Sequence, residues 1–504
     1  MTLVVAVMFV VVALILVISS ASTSMVNRAQ DRTDNVLGKN PVDEGIRAYA
    51  EALDGGMVGE HTGFVLTRPA LDEFAVGGKA LVGNGALPQG LQIVDPSIPG
   101  AHRWTMRTPG IDGSPDRMWQ MYALSPPDFS EGSGARVVAY FRGWAQNRAG
   151  SIVTTPEIVR VELRPGRFSD YQVIADGPIA MGAGAAISAR MHSNGHPDSR
   201  LGLTTQGHAI FASAATCLAG AEFTSTRGTL NVCGPSVRSP NTGDSISMLR
   251  VKQAADRMRE NCGSSAYVQV RCYTRPAANG TEYRVRITGA GLQVLNPTGG
   301  AGNVNAGGWG AAVLFDRPVR ILGGTLGANR RLTIATFDSE AGGMRAAGGN
   351  AIYIHGNTGH TMTTSSSLGL MAQGDVVLEI DNSAGLGACP TSLRAAVVAA
   401  GGGVTISPQW LTLVPPSTAP RCPGPITFEA SLAGHFSPAM VMTWSNAQQA
   451  GYTAGRNYRY SPHLKDNPPP FYPVTGPWQV WKYNDANYDC FGANGHLNNG
   501  PGCR

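Results

Sequence analysis

The chain opens on an apolar stretch, MTLVVAVMFVVVALILVI, broken only by Thr2, and small residues carry it on to Met25. At ~1.5 Å per helical residue such a run approaches the ~30 Å hydrocarbon core of a bilayer. It predicts one membrane-spanning helix over Met1 to about Ser24. A cleaved signal peptide competes, but its core is shorter and follows a basic stretch. No basic residue precedes this core. Residues 25–56 read as a helical stalk. Ile46, Tyr49, Ala50 and Leu53 recur at the spacing of one helical face. Pro41, with Asn40 as cap, suits a helix start, and Gly55–Gly56 suits a stop.

Beyond the glycine pair the apolar pattern shortens. Over residues 57–173, strand-like runs occupy Phe64–Arg68, Met118–Leu124, Ala135–Ala145 and Glu157–Arg164. In the last, Ile158, Val159, Val161 and Leu163 lie among charged neighbours, near the two-residue period of a half-buried strand. A small β-rich domain is expected there. Over residues 174–457, short apolar runs such as AAVLF, VRILGG, LTIATF, NAIYIHGN and ITFEASLAG recur with Gly or Asn between them. They are too short for helices and too close for crossover helices, so the chain reads as mainly β. An irregular parallel β-helix is expected, with a β-sandwich body as the alternative. Ser245–Asn261 has helix-forming composition without Gly or Pro and should pack on the β-body. Residues 458–504 read as a C-terminal strap. Pro468–Pro470 and Gly476–Pro477 exclude regular structure there, and Phe471, Tyr472, Trp478, Trp481, Tyr483 and Tyr488 need burial. A ligand platform is the rival reading for these aromatics.

Composition narrows the function classes. Of 504 residues, 64 are Gly and only 14% are charged, which favours tight turns over helical bundles. The net charge of +5 is small for this length and no basic cluster marks a nucleic-acid partner. The cysteines are Cys217, Cys233, Cys262, Cys272, Cys389, Cys422, Cys490 and Cys503, all beyond residue 200 and none in a C-x-x-C. Disulfides in an oxidising compartment follow, against the rival of reduced thiols in a cytosolic protein. Pairing each cysteine with its neighbour gives Cys217–Cys233, Cys262–Cys272, Cys389–Cys422 and Cys490–Cys503. Orientation is contested, because Arg28, Arg32 and Lys39 after the span favour a cytoplasmic location by the positive-inside tendency. A basic leader ahead of Met1 would reconcile them with the cysteines.

Candidate chemistry is sparse. No nucleophile elbow, metalloprotease helix, P-loop or dinucleotide fingerprint occurs, so no catalytic residue, cofactor or metal is expected. His192, His196 and Asp198 in MHSNGHPD, and His355 with His360 in IHGNTGH, are the histidine pairs weighed as metal ligands. Asp485, Asn487 and Asp489 begin a calcium-loop pattern, but Cys490 and His496 then break it. A polysaccharide-acting enzyme on such a body would need acids and a base gathered in one groove.

Several segments together resemble a family. These are Thr2-Leu3-Val4-Val5 at the head of the apolar run, Asn27–Gln30 with Asp43–Tyr49, and Arg167–Tyr171 followed by Met191–Gly195. Tyr458–Leu464 with Pro468–Pro470 completes the set. They are similar to PilX-like minor pilins of actinobacterial type. Val5 stands where most major pilins carry Glu. The resemblance implies a single-pass membrane anchor, a body outside the cell, pilin-like partner subunits and a structural role in type IV pilus assembly or a surface filament. Rivals are a surface adhesin or carbohydrate binder and the polysaccharide enzyme.

Overall fold

The computed structural model describes residues 41–50, 91–93 and most of 102–485. Among these no helix is long and apolar enough to cross a membrane. The Met1–Ser24 run and the Phe64–Arg68 strand lie outside the described residues. The protein is mainly β with parallel sheets and divides into two compact units. Neither unit is continuous in sequence: the first combines Met1–Phe129, Arg136–Arg164 and Pro477–Arg504, and the second Ser130–Ala135 with Pro165–Gly476.

The first unit is helical over residues 41–50, and the expected helix start at Asn40–Pro41 and stop at Gly55–Gly56 are not settled by the described residues. Ile46 and Tyr49 are buried, together with Val42 one turn earlier. Gly45 lets the helix approach the sheet, since a Cβ there would lie 2.9 Å from the Trp119 ring. Tyr49 meets Phe141 edge-on at 6.2 Å. The sheet runs Leu91–Ile93, His102–Thr108, Asp116–Leu124, Val137–Gln146, Glu157–Arg167 and Val474–Asp485 in spatial order. The first five strands pair antiparallel in sequence order. Val159, Val161 and Leu163 are buried, as their alternation implies. The tail departs from expectation: Val474–Asp485 is a twelve-residue strand despite Pro477. It sits at the sheet edge, where a missing N–H breaks no ladder on the open side.

The second unit is built on three larger sheets. A long sheet has ten strands, all paired parallel. A hairpin sheet carries the antiparallel strands Gly302–Asn305, Gly291–Val294 and Tyr283–Thr288, then Val319–Ile321, Ile352–Ile354, Val376–Leu378 and Val404–Ile406 in parallel. A short sheet stacks Gly324–Leu326, Thr358–His360, Ser392–Arg394, Ile426–Glu429 and Arg456–Arg459, again in parallel. The chain visits the sheets cyclically. Ala311–Phe315 in the long sheet leads to Val319–Ile321, then Gly324–Leu326, and returns to the long sheet at Arg331–Thr336. The Gly323–Gly324 corner is tight. Gly324 has φ +116°, and a Cβ there would lie 2.0 Å from the Ile287 carbonyl oxygen.

Along the long sheet the strands follow a permuted order. Gln269–Tyr273 comes first, then Ala311–Phe315, Arg331–Thr336, Ser367–Ala372, Ala396–Ala399 and Ser431–Gly434. The next neighbour is Tyr171–Ala175, from much earlier in the chain, followed by Arg190–Ser193, Glu222–Ser225 and Asn241–Thr242. The chain thus enters the stack midway, builds to one end, and must travel back to start the other. Ten strands at ~4.8 Å spacing put those ends roughly 43 Å apart. The Leu249–Glu260 helix covers part of that return, about 18 Å at 1.5 Å per residue. Its Val251, Ala254, Ala255 and Met258 are buried in one cluster with Ala312, Leu314 and Ala335 of the long sheet.

Alternate residues of the long sheet serve two cores. Val313, Leu332, Ile334, Leu370 and Val397 join the interior cluster with residues of the other two sheets. Ala312, Leu314, Ala335, Met371 and Val398 face the helix and the segment at residues 460–473. That segment carries Leu464, Phe471 and Tyr472 into the outer cluster. Arg331 Nε donates to the Pro468 carbonyl at 2.9 Å, and Thr333 Oγ1 donates to that of Pro470. Gly369 makes room for it, since a Cβ there would lie 2.8 Å from Pro469 Cβ.

Candidate functional site

Strand register places Arg284, Arg320, Tyr353, Val377 and Thr405 in one row across the hairpin sheet. Their sequence neighbours Val285, Ile321, Ile354 and Leu378 belong to the interior core, so alternation turns the row outward. Arg320 is the hub. Its Nε and Nη2 donate to the two oxygens of Glu282 at 2.9 and 3.0 Å, and its Nη1 donates to Glu379 Oε1. The hydrogen bonds that Arg320 donates to Glu282, more than any other influence, raise the guanidinium pKa, and each of its three nitrogens is engaged. The Arg320 guanidinium carbon also sits 5.2 Å from the Tyr353 ring centre. His355 Nδ1 lies 3.2 Å from Glu379 Oε2. Arg284 reaches Glu282 at 3.6 Å and keeps 62% of its side chain exposed. The result is a rigid, partly exposed array of donors, acceptors and one aromatic ring.

A second polar cluster is buried where the long sheet's strands end. His192 Nδ1 is 2.8 Å from Thr224 Oγ1, and its Nε2 is 2.9 Å from Asn194 Oδ1. Asn194 Nδ2 donates to Asp176 Oδ1 at 2.6 Å and to the Ile246 carbonyl at 2.8 Å. Burial lowers the His192 pKa and keeps the ring neutral. Since Asn194 Oδ1 can only accept, Nε2 carries the proton and Nδ1 accepts from the threonine hydroxyl. Both nitrogens are committed to the fold, which leaves none for a metal. The histidine pair in IHGNTGH is also split: His355 follows a strand of the hairpin sheet, while His360 lies in the short sheet and is fully buried. Among the described residues no group of three or more His, Cys, Asp or Glu side chains is placed to hold a metal ion. His196, Asp198, Asn487 and Asp489 lie outside the described residues.

Cys262 and Cys272 are disulfide-bonded, with Cα atoms 5.7 Å apart. The bond ties the turn after the Leu249–Glu260 helix to Gln269–Tyr273, the first strand of the long sheet. The Gly263 N–H donates to the Val270 carbonyl at 3.0 Å, so this turn covers part of the strand's outer edge. Cys217 is also disulfide-bonded. Cys233, Cys389, Cys490 and Cys503 lie outside the described residues, as does the Cys422 side chain.

The Glu282–Arg320–Glu379 hub was not among the residues singled out from sequence. Its signal was present as charged residues in the outward slots of apolar strands, Arg284 and Arg286 in YRVRIT and Arg320 in VRI. Which strands lie side by side is what joins them. No family model, curated protein or solved structure matches this chain.

Proposed function

We propose that this chain is a surface-displayed structural protein in which an N-terminal apolar anchor holds a parallel β-helix outside the cell, similar in role to PilX-like minor pilins. The observation that carries the reading is the Cys262–Cys272 disulfide, since such bonds persist in oxidising compartments and are rare in the cytosol. Support for the β-helix comes from the cyclic visiting order and the parallel neighbours of the three larger sheets, whereas a sandwich pairs its strands antiparallel. The body's work is contact and assembly rather than catalysis, with pilin-like subunits as partners.

Protease added to intact cells, with immunogold labelling in the presence and absence of the pilus-assembly ATPase, tests this. Digestion of the body in intact cells and ATPase-dependent labelling are expected. Protection until lysis overturns the surface location, and labelling indifferent to the ATPase overturns the pilus role.

The outward row of Arg284, Arg320 and Tyr353 favours a second reading, a surface adhesin that binds saccharide. Neighbouring strands set such groups ~4.8 Å apart along the stack, so an extended polymer would meet one at each step. Binding on a glycan array that is lost in Tyr353→Ala and Arg284→Ala supports it; no binding by the unaltered protein excludes it for the glycans tried.

A further inference from the structure

The short helix His463–Asp466 brings His463 against His360 of the short sheet, ring edge to ring face, with centroids 4.4 Å apart. His360 has no solvent exposure. No well-formed hydrogen bond reaches either of its nitrogens or Nε2 of His463, and only the backbones of Arg394 and Ser366 come near the two rings. Buried polar atoms are normally paired, and an unpaired set calls for a reason. His463 belongs to the segment at residues 460–473, which lies on the outer face of the long sheet through Leu464, Phe471 and Tyr472.

We infer that the His360–His463 contact is an acid-sensitive latch holding residues 460–473 on the outer face of the long sheet. The contact tolerates two neutral rings but not two charged ones, because like charges in a dry site repel and lose their hydration. Facing the pair are Arg394 and Glu429 from neighbouring strands of the short sheet, joined to each other as an ion pair at 3.0 Å. The Arg394 guanidinium opposes the charging of His360 while the Arg394 backbone eases it somewhat more, and the Ser366 backbone and Glu429 ease the charging of His463. Ser366 and Ser461 are the neutral polar neighbours, the latter 3.2 Å from His463 Nδ1. Nothing charged of opposite sign is thus placed to neutralise His360. Burial, with His463 adding to it, pushes the His360 pKa down to about 3, and burial lowers that of His463 too.

The sign follows from linkage. Both folded-state values are depressed, so the released segment binds protons that the docked one does not. Docking is at full strength above the ordinary imidazole pKa of ~6.5 and weakens as pH falls below it. Each proton taken up on release shifts the docking equilibrium by up to about tenfold per pH unit, and for His360 this continues towards pH 3.

Hydrogen exchange of the full chain, followed at residues 460–473 and corrected for the intrinsic pH dependence of exchange, tests the latch. Protection should be constant from pH 8 to 7 and fall below pH 6 by up to about tenfold per unit for each of the two histidines that takes up a proton. Ala311–Phe315 and Arg331–Thr336 in the long sheet should stay protected. His463→Phe should keep the segment docked and make its pH response shallower, since only the His360 proton is then taken up on release. A flat response in the unaltered protein overturns the latch, and so does loss of protection everywhere at once. If His463→Phe fails to fold, the imidazole NMR signals of the unaltered protein decide: titration of His360 near pH 6.5 while the segment stays docked overturns the latch, and a ring still neutral at pH 5 upholds it.

Discussion

His435 Nδ1 lies 2.8 Å from Asp176 Oδ2 across a sequence separation of 259 residues. The two residues follow the strands Ser431–Gly434 and Tyr171–Ala175, which pair in parallel where the two separately built parts of the long sheet meet. Asp176 also accepts from Asn194, so one carboxylate serves three successive strands of the junction. Asp176→Ala should therefore loosen this junction in particular. An unpartnered buried polar group costs roughly 1–3 kcal/mol. Hydrogen exchange should show early opening of Tyr171–Ala175 and Ser431–Gly434, while Arg331–Thr336 is unaffected. Uniform protection in the variant would deny the carboxylate this role.

Gly324→Ala should be severe. The residue combines φ +116° with a Cβ position 2.0 Å from the Ile287 carbonyl oxygen, and backbone on both sides leaves little room to relax. Strained φ values alone cost about 1–3 kcal/mol, and the clash adds to it. Urea denaturation should show the loss. Gly150→Ala, where φ is +82° but nothing lies within 4 Å, provides the comparison that isolates the clash.

Replacing Cys262 and Cys272 together by Ser should lower stability by ~2–4 kcal/mol, the usual worth of a disulfide. The bond holds the turn that covers the edge of Gln269–Tyr273, so that strand should lose protection first. Non-reducing peptide mapping of protein from the cell surface should recover the Cys262–Cys272 pair. Free thiols at both positions would contradict the linkage and remove the support for an extracellular body.

Arg320→Met should leave Glu282 and Glu379 facing each other without their shared cation. The pair is partly exposed, so the loss is modest, about 1–2 kcal/mol at low salt. It should shrink as added salt screens the two carboxylates. A loss independent of salt would mean that Arg320 acts through packing alone.

Gly369→Val should displace the segment at residues 460–473, because even the first added carbon meets Pro469 and Tyr472. New protease cleavage within that segment is expected, with the six-stranded sheet of the first unit intact. Resistance equal to that of the unaltered protein would show that the segment is held elsewhere.

Local features of this protein are written in its sequence because they depend on neighbours along the chain. Strand runs such as AAVLF and VRI, the helix within Ser245–Asn261 and the Cys262–Cys272 bond all involve residues close in sequence, where propensity, turn chemistry and short loops decide. The strand at Val474–Asp485 escaped the same reasoning because Pro477 is tolerated only by virtue of an edge position, and edges are a property of the assembled sheet. The long sheet's permuted order was equally hidden. Backbone hydrogen bonds between parallel strands carry no label of which strands they join, and Tyr171–Ala175 could pair with any strand of matching in-and-out pattern. Tertiary packing alone made Ser431–Gly434 its neighbour, set the Leu249–Glu260 helix to bridge the return, and brought Arg320 between two glutamates and His360 beneath His463.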